Sequence, residues 1–282
     1  MNTNLISDVG LRINEFLWQI KERNLGEAAV FFQDLKTDRT AAANAEEIFA
    51  AASVIKVPIA VEAFRQVEAG ILDLDALYAV HESRKAGGSG VLRPMHSGLA
   101  VTFRDLVTLM IIVSDNTATN MVIDLVDMEA VNETAGRLGL SNTLLRRKLV
   151  GGAFYARPDY SLAIDNHITA QDMGLLLHRL VNGQGVSPAS DGALLDIMAM
   201  QQVNDRIPLL LPPGTRVAHK TGESQLNRHD VGVVYGRELG PDGRPVPAYI
   251  LAVLTRGLTE PPRMCWAVAE MSRDIYRLAV DA

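Results

Sequence analysis

Apolar and polar positions along the chain fall into two rhythms, and their distribution divides it into two regions. From Met1 to Gly26 the apolar residues Leu5, Val9, Ile13, Phe16, Leu17 and Ile20 recur at helical spacing on one stripe, which predicts an amphipathic helix. The shorter, β-rich segments 28–34, 40–49, 216–221, 230–235 and 249–254 read as strands. Between them, Ser53 to Gln202 is mostly helical in pattern. Thr102-Phe103-Arg104-Asp105 has the form of a capping box that opens a helix through Val113, and Thr169-Ala170-Gln171-Asp172 opens another through Val181. A closing helix is expected from Pro262 to Ala279, entered through Pro261-Pro262. Both ends of the chain thus contribute to one α/β lobe, residues 1–52 with 203–282, and the middle, 53–202, forms an all-helical lobe.

The segment starting at Ser53 is apolar on almost every side, with Val54, Ile55, Val57, Ile59, Ala60, Val61, Ala63 and Phe64. A helix of that kind is buried. Lys56 sits inside it, where an ammonium without a partner costs several kcal/mol, on the order of the penalty for any buried ion. At helical spacing it lies one turn along from Ser53, on the same face.

Composition narrows the function classes. The chain has 282 residues, 48% of them hydrophobic, enough for a large core in one domain or two interleaved lobes. A net charge of −6 argues against nucleic acid, which needs a basic face. Arg146-Arg147-Lys148 is the one basic cluster and reads as a solvated loop. The single cysteine, Cys265, permits no internal disulfide and reads as a small buried hydrophobe. The six histidines show no metal-binding spacing, so no metal and no cofactor are expected. No run is long and apolar enough to span a bilayer, and the first residues lack the form of a signal peptide. The expectation is a cytoplasmic protein with no membrane partner; the alternative is an exported protein whose signal has been removed.

Three short motifs carry the chemistry: Ser53-Val54-Ile55-Lys56, Ser114-Asp115-Asn116, and His219-Lys220-Thr221-Gly222. Taken alone, Ser-Asp-Asn is an ordinary interhelix turn. Together and in this order, with Gly88-Ser89-Gly90-Val91-Leu92 and Arg228-His229-Asp230-Val231-Gly232 around them, the motifs resemble those of the penicillin-recognising serine hydrolases, in their class A β-lactamase-like branch. The resemblance runs from about Val30 to the end. It implies an α/β (α+β) fold with an antiparallel sheet, flanked by the terminal helices and joined to the helical lobe, with the active site between the lobes.

By that resemblance Ser53 is the nucleophile, Lys56 its general base and Ser114 the relay of a proton to the leaving nitrogen, while Asn116 binds the substrate amide. Lys220 supplies positive potential that holds Ser114 and lowers the proton affinity of Lys56. Thr221 would meet a substrate carboxylate, and Gly222 would let substrate backbone pair against the strand edge. The backbone N–H groups of Ser53 and Glu223 would form the oxyanion hole. Glu223 departs from the family pattern, since a carboxylate there repels an anionic substrate; Arg228 and Arg256 are the candidates to offset it.

A second departure lies between Arg146 and Thr169. Class A β-lactamases carry a glutamate there, in an ExxLN element, to activate the deacylating water. This stretch contains no glutamate. Asp159 with Leu162 imitates the pattern, but Ala163 replaces the asparagine. The sequence therefore predicts a serine hydrolase acylated by a small substrate, a β-lactam or a related amide or ester, with slow deacylation. The alternatives are a D-Ala-D-Ala-type carboxypeptidase or esterase on the same fold and a non-turnover β-lactam-binding protein.

Overall fold

The computed structural model describes residues 4–150 and 161–281. Five strands, β1 (Glu27–Asp34), β2 (Thr40–Ala43), β7 (Val217–Glu223), β8 (Arg228–Leu239) and β9 (Pro245–Arg256), form one antiparallel sheet in the order β2-β1-β9-β8-β7. Successive side chains on a strand point to opposite faces, and this sheet is covered on both. Val30, Phe32, Leu251 and Val253 pack with Val9, Ile13, Phe16 and Ile20 of α1 (Leu5–Glu22) and with Val268 and Ile275 of α8 (Pro261–Ala279). Their neighbours Ala29, Phe31, Ile250, Ala252 and Leu254 join the core of the middle region.

That middle region holds α2 (Lys56–Glu68), α3 (Phe103–Ile112), α4 (Asn116–Val126), α5 (Met128–Arg137), α6 (Ala170–Val181) and α7 (Pro188–Met198). Its helices start where the local chemistry dictates. Thr102 and Asp105 form the reciprocal capping box at α3, and Thr169 accepts from the Asp172 N–H at α6. Helix α6 lies against β1 and β9, so the two lobes share one core. A side chain at Gly174 would strike the Phe31 ring, 2.2 Å from where its Cβ would stand, so glycine fixes this contact.

Two expectations are corrected. The strand over 40–49 breaks after Ala43, because Asn44 takes a left-handed conformation (φ 54°) and its amide donates to the Ala28 carbonyl. The chain resumes as β3 (Phe49–Ala50), paired with β6 (His167–Ile168) outside the main sheet. The middle region is also not purely helical, since β4 (Leu77–Val80) and β5 (Leu99–Thr102) form a small antiparallel ladder. Among the described residues no helix is long and apolar enough to cross a membrane.

Candidate active site

One edge of the sheet is β7, and a 3₁₀ turn, Ala52–Ile55, lies against it. Gly222 is small because of that approach. A Cβ there would stand 2.9 Å from Val54 Cγ2 and 3.2 Å from Val54 N. The glycine thus packs against this chain's own turn, where the sequence suggested room for substrate backbone. Ser53 sits in the turn, ahead of the first helical residue Lys56, where the N–H groups have no helical carbonyl behind them. Ala52 just before it adopts φ 44°, a left-handed conformation that costs a non-glycine residue about 1 kcal/mol or more.

Lys56 is fully buried and does not snorkel. Its Nζ lies 2.8 Å from the Ser114 carbonyl, 3.0 Å from Ser114 Oγ and 2.9 Å from Asn116 Oδ1. Lys220 approaches the same hydroxyl from the sheet, 3.2 Å from Ser114 Oγ, and donates to its neighbour's carbonyl, Thr221 O, at 2.7 Å. Ser114 Oγ is therefore flanked by two buried amines. Ser114 also holds a left-handed backbone, φ 56°. Burial first, and then the nearby Lys220 ammonium, holds the Lys56 pKa well below the ordinary lysine range, with Asp115 acting weakly the other way. Burial brings Lys220 down to about 7, against the opposing pull of Asp230.

The turn that presents Ser114 is braced by Asp115. Its Oδ1 caps α4 by accepting from the Ala118 N–H, and Oδ2 accepts from the N–H groups of Val91 and Leu92 at 2.6 and 2.8 Å. Gly90 makes this possible, because at φ 120° it leaves space where a Cβ would lie 2.3 Å from the Asp115 carboxylate. Asn116 is committed internally, since Oδ1 accepts from Lys56 and Nδ2 donates to Gly87 O at 2.9 Å. One amide hydrogen remains for a substrate.

Ser53, Asn116 and Glu223 line one cavity of about 90 Å³, together with Ala52, Gly88, Ser89, Leu149, Val150, Ser224 and Gln225. The structure thus gathers Ser53, Asn116 and Glu223 around one space, with Lys56, Ser114 and Lys220 as a hydrogen-bonded buried group, and Thr221 buried on β7. Arg228 and Arg256 do not line this cavity, although Arg228 Nε stands 3.8 Å from Glu223 Oε2. Arg228 donates to the carbonyls of Ser224 and Asn227 and lines an adjoining hollow with Glu223, Cys265 and Trp266. Arg256 is paired with Glu27 and Glu47 at 2.7 Å, lies over the Phe49 ring, and lines a neighbouring apolar cavity of about 210 Å³ with Ile48 and Leu162. Asp159 falls outside the described residues.

Sequence reasoning missed Arg206. Its guanidinium is buried and bonds Glu223 Oε2 at 2.9 Å, with Asp205 at 3.2 Å. It sits in an irregular loop, and its pairing depends on a contact 17 residues away that no local pattern announces. His229 is a strut: its Nε2 donates to the Ala50 carbonyl at 2.8 Å, tying β8 to the start of the Ser53 turn, while Nδ1 accepts from the Thr255 N–H. Burial holds its pKa down to about 4, which keeps it neutral. The basic run is likewise structural. Arg147 pairs with Asp165, Lys148 with Asp124, and the Asn166 side chain accepts from the N–H groups of Arg146 and Arg147. The run thus pins residues on either side of 151–160.

A model of the beta-lactamase enzyme family matches residues 12–279. The structure is similar to that of a beta-lactamase from Sphaerobacter thermophilus, with a TM-score of 0.84 and 31% identity over 95% of each chain. It is also similar to PBP-A, with a TM-score of 0.79 and 28% identity over 98% of this chain and 96% of that one. A leucine-to-glutamate mutant of PBP-A, 27% identical to this chain, has been solved as an acyl-enzyme complex with penicillin G. The extended-spectrum beta-lactamase PER-1 of Pseudomonas aeruginosa is 25% identical over 246 residues, which cover 83% of this chain and 76% of that protein.

Proposed function

This chain belongs to the beta-lactamase enzyme family, and from that premise we propose that it is an active-site serine hydrolase acylated at Ser53 by β-lactams or related amides and esters, with slow deacylation. The observation that carries this reading is the convergence of two buried lysines on one hydroxyl beside the Ser53 turn. Two amines that close, in a dry site, are not both charged at neutral pH. Neutral Lys56 takes the Ser53 hydroxyl proton as the oxygen attacks the substrate carbonyl. The carbonyl oxygen gains the negative charge and is met by the N–H groups of Ser53 and Glu223. When the C–N or C–O bond breaks, Ser114 Oγ gives its proton to the leaving atom and is reprotonated by the Lys56 ammonium, which restores the starting state.

Release of the acyl group needs water and a base. The glutamate-free stretch 149–168 supports slow hydrolysis, with a loss of roughly 10² to 10⁴ when a positioned base is missing. Intact mass spectrometry after mixing with a penicillin tests the reading. A burst of about one β-lactam per site is expected, with a long-lived adduct on Ser53 that Ser53→Ala lacks. Label on another residue, or rapid steady turnover with no adduct, contradicts it.

A carboxypeptidase or esterase on the same fold is the second reading. It is favoured by the missing glutamate and by the likeness to PBP-A.

A further inference from the structure

The cavity at Ser53 holds charge of one sign. Among the described residues that line it, Glu223 is the only ionisable side chain, and its carboxylate is about half exposed (47%). Two cations pair with it: Arg206, completely buried and shared with Asp205, and Arg228, whose Nε stands 3.8 Å from Glu223 Oε2 and which lines a neighbouring hollow and not the Ser53 cavity. A ligand entering beside Ser53 therefore meets the carboxylate before it meets either guanidinium. The two arginines suited to welcoming an anion are already engaged, Arg256 with Glu27 and Glu47, and Arg228 with Glu223 itself and two backbone carbonyls. Lys220 is buried and hydrogen-bonded to Ser114 and Thr221.

We propose that Glu223 is a charge filter, so that the preferred substrates of this enzyme are neutral acyl esters or amides with no free carboxylate beside the scissile bond. This rests on the reading of Ser53 as the acylated nucleophile and deepens it. Like charges a few ångströms apart in a partly desolvated cavity repel, and Arg206 and Arg228 cancel only part of the field because neither lines the cavity. The filter acts on the leaving-group side, where a carboxylate would reach the KTG strand at Thr221. It favours an esterase or an amidase cutting within a chain over a carboxypeptidase, whose substrate ends in an anion. Penicillins, which carry that anion, would then acylate Ser53 well below the rate of their methyl esters.

The test is a matched pair of thioesters, benzoylglycyl thioglycolate and its methyl ester, each rate divided by its spontaneous hydrolysis rate. Wild type is expected to favour the methyl ester by roughly tenfold in kcat/KM, as one partly screened like-charge contact implies. Glu223→Gln should bring the ratio close to one, chiefly by speeding the anionic thioester, whereas Glu223→Asp should keep the preference. The ratio is the readout, because the backbone of this residue also serves the oxyanion hole and absolute rates will change with either variant. A wild-type preference for the anionic thioester, or a ratio that Glu223→Gln leaves unchanged, overturns the filter while leaving Ser53 as nucleophile. If neither thioester yields a Ser53 adduct or thiol release above that of Ser53→Ala, the hydrolase reading falls and the filter with it.

Discussion

Replacing Lys220 by methionine should make the protein more stable at neutral pH, and the size of the gain follows from its burial. Lys220 titrates at about 7 in the folded chain and near 10.5 when unfolded. Between those values the unfolded state holds a proton that the native state has released, so the lysine's contribution to stability rises with pH at about 1.4 kcal/mol per unit. At pH 7 the native state has paid a penalty of about 4 kcal/mol relative to strongly alkaline solution. Methionine removes that penalty but also deletes the bonds to Ser114 Oγ and Thr221 O, worth about 1 kcal/mol each. A net gain of about 2 kcal/mol is left, a rise of roughly 5 °C in Tm for a chain of this size. The advantage should shrink on alkalinisation and reverse near about pH 9, where the two terms cancel. Lys56 adds to the effect with the same sign, because losing Lys220 removes a cation that lowers its pKa. Urea unfolding of both proteins at pH 7, 8, 9 and 10 measures this directly. Parallel stability curves, or a variant less stable at pH 7, would refute the assignment of Lys220 as a buried amine under strain.

Two further substitutions probe the machinery around it. Lys56→Met should slow acylation of Ser53 by about a hundredfold or more, read as adduct formation by mass spectrometry, and an unchanged rate would move the base elsewhere. Gly90→Ala should cost about 3 kcal/mol, because its Cβ would meet the Asp115 carboxylate at 2.3 Å and the backbone sits at φ 120°; a melting temperature equal to wild type would show that the 88–92 loop does not lean on Asp115.

What the sequence revealed and what it hid divide along a physical line. Helix starts were legible because a capping box is local: Thr102 with Asp105, and Thr169 with Asp172, act within one turn. The stripe on α1 was legible because burial follows the helical period, and Val9, Ile13, Phe16 and Ile20 are all buried. The three short motifs were noticed by resemblance, and the structure places Ser114 between Lys56 and Lys220. Contacts made by single residues across long separations left no such trace. Nothing near Arg206 announces Glu223, and nothing near His229 announces the Ala50 carbonyl 179 residues earlier. The partners of Arg228 and Arg256 were hidden for the same reason: Arg228 bonds two backbone carbonyls and stands 3.8 Å from Glu223, and Arg256 pairs with Glu27 and Glu47. Gly222 shows the converse, since its smallness was noticed but its reason, the Val54 backbone, belongs to a segment far upstream.

Unfavourable features gather around the candidate site. Among the described non-glycine residues with positive φ, Ala52 and Ser114 are the two that are neither Asn nor Asp. Two lysines are buried within reach of a single hydroxyl. Such features persist only where neighbouring structure over-determines them, and each has its brace. The Ala51 N–H donates to the Asn166 carbonyl and the His229 ring holds Ala50, fixing the approach to Ser53. Asp115 binds three backbone N–H groups through its side chain, fixing the approach to Ser114. The braces hold backbone rather than the reacting atoms, so Ser53 is presented on a rigid frame without having its hydroxyl engaged by the frame itself. A rigid frame with depressed amine pKa values is what the proposed mechanism requires, in which a proton leaves one oxygen, crosses a lysine and returns through another hydroxyl. A lysine paired with a carboxylate would hold its proton, and among the described residues neither Lys56 nor Lys220 makes such an ion pair, which suits an amine that must be neutral to act as the proposed base.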